Sequence, residues 1–269
     1  MSNTNEVETV ALDALDEYVA SCTVAIASIN GEVEHGSGVA VKFNDQCYIL
    51  TAAHVLKGEP DNERIRIVGR PDGPLQMLRG KQELKDAIRL KTHRPAFASA
   101  TAVCIIDRLT HELDDIAALK VHNPIADLPR TIFHDLSVYK DSDTAVGTAV
   151  TIYGFPGELA QHYEQRLAGR SGWAAFPHIT IEEIKDISSA PEKLQPSIDL
   201  ITSFDYPEET CNPRGMSGCG AWSFPGAQKG QLWHAGMSQL LGILIGHYRD
   251  AKILRFVRSG RVQRLLYGS

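Results

Sequence analysis

Cysteine is too sparse and too badly spaced in this chain to hold it together. The five cysteines (Cys22, Cys47, Cys104, Cys211, Cys219) are odd in number, scattered over 269 residues, and form no Cys-x-x-Cys pair. That excludes a disulfide scaffold or a thiolate zinc site of the usual spacing and fits a reducing compartment. Long apolar runs are missing too: no stretch approaches the roughly 18 residues a membrane helix needs. The start, Met1-Ser2-Asn3-Thr4-Asn5-Glu6, carries neither the basic nor the apolar segment of an export signal. We therefore expect a cytoplasmic protein with no membrane partner. Positive charge is also short, since 27 Lys and Arg stand against 33 Asp and Glu for a net charge of −6. Such a chain does not advertise itself to nucleic acid. The histidines lack zincin spacing, because His111-Glu112 has no second histidine four positions after the first. We expect no metal and no cofactor.

What is present is globular texture: 43% hydrophobic and 22% charged residues, with 22 Gly and 13 Pro as punctuation. Residues 6–19 combine helix formers with acids and contain no Gly or Pro, which predicts a short acidic helix. From Cys22 the chain turns to runs of β-branched and small residues cut by Gly, Asn and Asp. Strands are expected at 23–29, 38–43, 48–51, 102–106 and 116–121. After the turn-prone stretch from Asn123 to Pro129 they are expected again at 148–153, 172–176, 179–184, 200–204, 220–224 and 240–245. Residues 250–266 return to helical composition. This texture divides the chain into an N-terminal extension at 1–19, a first β unit at 20–122, a linker at 123–135, a second β unit at 136–248 and a C-terminal helix at 249–269.

Three stretches set a reactive side chain beside small residues at a strand end. Tyr48-Ile49-Leu50-Thr51-Ala52-Ala53-His54 runs an apolar strand into a histidine; Asp115-Ile116-Ala117-Ala118-Leu119 opens a strand with an acid; Gly215-Met216-Ser217-Gly218 holds a serine in a glycine-rich turn. Joint occurrence in the order His, Asp, Ser, at separations of 61 and 102 residues, carries more than any stretch alone. On these residues the chain resembles the chymotrypsin-like (trypsin-fold) serine peptidases over about residues 20–260, in their bacterial-type, disulfide-free intracellular branch.

The resemblance implies an all-β fold of two antiparallel six-stranded β-barrels, flanked by the N- and C-terminal helices. It implies a catalytic triad in the cleft, with His54 and Asp115 from the first barrel and Ser217 from the second, and peptide or protein as substrate. Asp114 competes with Asp115; the family pattern puts the acid directly before the Ile-Ala strand start. The oxyanion donors would be the backbone N–H groups of Gly215 and Ser217. The pocket floor would fall at Cys211 and its wall along Ile245-Gly246-His247, without the buried acid that cleavage after Lys or Arg requires. A neutral, modest-sized P1 residue is expected.

Departures from the pattern carry information as well. Val55 stands where secreted relatives have a disulfide cysteine, and Met216 where zymogen-type members have an activating aspartate. Cys219 replaces the usual second glycine after the serine. Tyr153-Gly154-Phe155-Pro156-Gly157 resembles a strand-end segment of bacterial relatives and is assigned a structural role.

Three other readings compete. An α/β-hydrolase needs the order Ser, acid, His, but no Asp or Glu separates Ser217 from His234 or His247. A nucleophilic Cys219 is disfavoured because the glycine frame presents Ser217. A trypsin-fold binding or scaffold module without turnover is the remaining alternative. Bases recur at Arg249, Lys252, Arg255, Arg258, Arg261 and Arg264; a solvated helix with its aliphatic side on the second barrel is expected, and a docking surface for an acidic partner is the alternative. No appended sensor domain and no PDZ-type extension is expected, which points to control by a separate regulatory protein through the acidic helix or the polar segment 57–98.

Overall fold

The computed structural model describes residues 14–28, 35–57, 62, 65–68, 78–79, 103–122, 124, 128, 130–138, 145–156, 178–204, 213–224 and 234–268. The first helix, α1, is described over 14–22. Leu15, Val19 and Cys22, at helical spacing, are buried on one face. The Thr23 hydroxyl caps its exit by donating to the Val19 carbonyl at 2.8 Å.

Six strands form the first sheet: β1 (Thr23–Ser28), β2 (His35–Phe43), β3 (Gln46–Ala52), β4 (Ile65–Val68), β6 (Ile105–His111) and β7 (Ile116–Val121), in the antiparallel order β4-β1-β2-β3-β7-β6. Asn44 and Asp45, both at positive φ, make the two-residue turn between β2 and β3. This is the hairpin geometry that matches strand twist, and Asn and Asp tolerate it best after glycine. The second sheet runs β11 (Asp199–Ser203), β14 (Ile253–Arg258), β13 (Gln239–Tyr248), β12 (Gly220–Ser223), β9 (Ala149–Gly154) and β10 (His178–Glu183), again antiparallel. The chain just beyond β10 meets β11 through the Ile184–Thr202 bridge and the Lys185 N–H donating to the Ile201 carbonyl at 3.0 Å, which brings the two ends of this row together.

Two short strands join the halves. β5 (Leu78–Arg79) comes from the first half but pairs parallel with β10 of the second, and β8 (His134–Asp135), inside the stretch expected to be linker, pairs parallel with β2. Strand β13 is apolar on both faces for a reason: Leu241 and Leu244 fill the second barrel, while Leu240, Ile243 and Ile245 join the core that runs into the first.

The C-terminal end corrects the sequence reading. The helix expected over 249–269 occupies only Ser259–Tyr267 (α2), and Ile253–Arg258 is strand β14. Ile253, Leu254, Phe256 and Val257 are all buried, and pairing to β11 on one side and β13 on the other overrides helical composition. Arg255 and Arg258 therefore lie on a strand; Arg255 pairs with Asp199 and Glu192, each at 2.9 Å. Helix α2 is also not confined to the second barrel, because Gln263 Nε2 donates to the Leu136 carbonyl and Tyr267 meets Phe43 edge-on at 4.7 Å. The strand expected at 172–176 lies outside the described residues.

Candidate active site

The register of β3 and β7 builds one half of the site. Ala52 pairs with Ile116, so the residues just beyond that pair leave the sheet at one edge, and the Ala53 N–H donates to the Asp115 carbonyl at 2.9 Å. His54 and Asp115 are thus adjacent although far apart in sequence. Asp115 Oδ1 accepts the His54 backbone N–H at 2.8 Å, and Oδ2 accepts from ring Nδ1 at 2.6 Å. An ionised carboxylate only accepts, so Nδ1 carries the proton and Nε2 is left with its lone pair. Asp115 holds this aim from the left-handed region, at φ 53°, which Asp tolerates better than most residues. Asp114 faces the other way: its buried carboxylate pairs with Arg261 and lies 3.2 Å from His111 Nδ1. The two acids are separated by the reversal between a short 3₁₀ turn and a strand.

The other half is the turn before β12. Met216 N–H donates to the Pro213 carbonyl at 2.9 Å, with φ 89° at Gly215 and Arg214 outside the positive-φ region, a type II turn that demands glycine at its third position. Gly218 follows at φ 93°, and a Cβ there would sit 2.0 Å from the Ser37 carbonyl oxygen and 2.3 Å from Thr51 Oγ1. The Gly218 N–H donates to Leu244 O at 2.7 Å and Leu244 N–H to Cys219 O at 2.8 Å, which ties the turn to β13. Among the described residues, no acceptor takes the N–H of Gly215 or of Ser217.

Ser37, on β2, joins the halves, and sequence reasoning missed it. Its N–H donates to Ser217 O at 2.8 Å and its hydroxyl to Gly215 O at 2.8 Å; that hydroxyl accepts from Phe155 N–H at 2.9 Å, and the Ser37 carbonyl accepts from Thr51 Oγ1 at 2.8 Å. Phe155 belongs to the segment expected to be structural. The only signal for Ser37 was its glycine frame, Gly36-Ser37-Gly38, in which a Cβ at Gly36 would lie 2.3 Å from a methyl of Val55 and one at Gly38 2.8 Å from a methyl of Ile49.

Of the residues expected to form the substrate pocket, Ile245 and Gly246 lie on β13 where the register shifts, and His247 is exposed with its ring edge-on to Phe204 at 5.4 Å. Cys211 lies outside the described residues. Cys219 is fully buried, and desolvation pushes its thiol well above the usual range, the opposite of what a nucleophile needs. Among the described residues no cluster of His, Cys, Asp and Glu could hold a metal ion, and no helix is long and apolar enough to cross a membrane.

No protein-family model matches the chain, and no curated protein does either. Solved structures do. The crystal structure of the serine endoprotease from Yersinia pestis aligns with a TM-score of 0.55 and 15% identity over 95% of this chain, which spans 65% of that protein's length. The fold is the trypsin-like double β-barrel. The inactive form of a serine-to-alanine mutant of Rv3671c from M. tuberculosis H37Rv aligns over 94% of this chain and 92% of its own, at 17% identity and a TM-score of 0.47.

Proposed function

We propose that the chain is a serine endopeptidase that cleaves proteins or peptides through an acyl-enzyme on Ser217. The observation that supports this most is the double hold of Asp115 on His54, at the backbone and at Nδ1, because it leaves Nε2 as a proton acceptor of fixed direction. Serine is a poor nucleophile at neutral pH. As Ser217 Oγ bonds to the substrate carbonyl carbon, its proton passes to His54 Nε2, and Asp115 stabilises the imidazolium that results. The carbonyl oxygen takes the negative charge, facing the N–H groups of Gly215 and Ser217, which no described acceptor occupies. When the C–N bond breaks, the amine leaves with the proton from His54. Water then enters by the same route and frees the serine.

The substrate would lie along Ile245-Gly246-His247 with its P1 side chain toward Cys211, and a neutral, modest-sized P1 residue follows from the lack of an acid there. The free thiols of Cys22, Cys47 and Cys219 support a reducing, cytoplasmic setting, where a regulatory protein would restrain the enzyme. A fluorophosphonate probe tests the reading: Ser217 is labelled, and labelling is lost in Ser217→Ala and in His54→Ala. A folded protein that takes no label would instead be a binding module on the same fold.

A further inference from the structure

Behind the His54–Asp115 pair, between β6 and α2, the described residues enclose an open cavity of about 470 Å³. That volume is in the range of small-ligand sites and holds a short stretch of peptide. Three arginines line it, Arg108, Arg261 and Arg264, with Asp114 the one acid among the lining residues. Arg261 is engaged with Asp114 and, at 3.2 Å, with His111 Nε2. The Arg264 side chain has no hydrogen-bond or ion-pair partner among the described residues. In a chain of net charge −6 the Arg264 side chain is positive charge left to spare in a concave wall, and Leu109 and Leu265 give the wall an apolar side.

We propose that this cavity binds an acidic peptide segment of a partner protein, a carboxylate side chain beside an aliphatic one, and that occupancy biases the His54–Asp115 pair. Planar guanidiniums suit carboxylates because they offer two parallel donors, and Arg264 has both to spare. The coupling is short. Arg108 Nη2 donates to Leu56 O at 3.1 Å, in the 3₁₀ turn that carries His54, and Arg261 holds Asp114, the residue before Asp115. A carboxylate that draws either guanidinium toward the cavity loosens the turn on which one member of the pair stands. The binding half stands by itself, while its meaning as control of catalysis rests on the peptidase reading.

The test uses the full chain at fixed ionic strength and no turnover assay, so its failure is distinct from failure of that reading. A fluorescently labelled, end-capped Glu-Leu-Glu-Leu peptide is titrated by anisotropy, with Gln-Leu-Gln-Leu as control, and the His54 imidazole is followed by NMR. Saturable binding is expected, weakened about tenfold or more by the Gln exchange and by Arg264→Glu, with the melting temperature of that variant unchanged and the His54 signals shifting with occupancy. Equal binding of the Gln peptide, undiminished binding by Arg264→Glu, or stationary His54 signals would overturn the proposal. So would displacement of the peptide by inorganic phosphate at the same concentration as by unlabelled peptide, which marks a bare anion site.

Discussion

Ser37, fully buried in β2, donates its hydroxyl to the carbonyl of Gly215 at 2.8 Å, so a strand of the first barrel fixes a peptide plane in the turn that carries Ser217. The peptide planes on either side of it carry the N–H groups of Gly215 and Ser217, the proposed oxyanion donors, and their direction depends on the plane held in this way. In Ser37→Ala the Gly215 carbonyl and the Phe155 N–H both lose their partner. Unpaired buried groups cost about 1–3 kcal/mol, and misaligned donors cost turnover. We expect kcat to fall about a hundredfold with KM little changed, measured on a peptide substrate beside a thermal melt. A melt that shifts while kcat stays put would reduce Ser37 to a packing residue.

The neighbouring acids separate by substitution. Asp115→Asn leaves the shape intact but offers His54 Nδ1 a group that no longer requires its proton, and kcat should fall about 10⁴-fold. Asp114→Asn removes neither His54–Asp115 hydrogen bond; it weakens the pairing with Arg261, at about 1.5–3 kcal/mol of stability, and only loosens the turn beside Asp115. Its kcat should stay within a few-fold of the parent. The opposite ranking of the two variants in a steady-state assay would reassign the acid.

These assignments show what sequence carries and what it does not. The alternation of small and apolar residues at Ile49–Ala52 and Ile116–Leu119 is legible as two strands, and the residues at their ends as His54 and Asp115. Their closeness is a matter of register, which no single strand contains. Ile253–Arg258 reads as helix on composition, with bases among apolar residues and no Gly or Pro to break the run, and only pairing with neighbours on both sides makes it a strand. Strands β5 and β8, two residues each, carry no periodic signal at all. Ser37 was illegible because its role lies in four hydrogen bonds, most of them to residues more than 100 positions away.

Two glycines at positive φ should respond differently to alanine. Gly147, at φ 85°, has nothing within 4 Å of an added Cβ, so Gly147→Ala costs only the backbone strain, about 1 kcal/mol. At Gly218 the same methyl meets the Ser37 carbonyl oxygen and Thr51 Oγ1, backbone and side chain that β2 and β3 hold in place. Gly218→Ala should destabilise by several kcal/mol and abolish activity even in the fraction that folds. Chemical denaturation of both variants measures the gap, and equal midpoints would mean that the turn gives way freely.

His134 supplies a pH dependence that has nothing to do with catalysis. Its ring is buried against Trp222, edge-on at 5.0 Å, and shares a 2.9 Å hydrogen bond with the Tyr18 hydroxyl. Desolvation lowers its pKa from 6.5 to about 4, with nearby Asp135 opposing the shift weakly. Between these values the unfolded chain binds a proton that the folded chain refuses, so stability rises with pH across the window and falls as the solution is acidified through it. The stabilisation is complete above pH 6.5 and is lost by pH 4, a change of about 3 kcal/mol. His134→Gln keeps a hydrogen-bond acceptor for Tyr18 but does not titrate. Urea midpoints at pH 7 and pH 4.5 should therefore differ much more in the parent than in the variant. The carboxylates common to both cancel in that comparison, and parallel losses would show that His134 takes up its proton without unfolding the wall formed by α1 and β8.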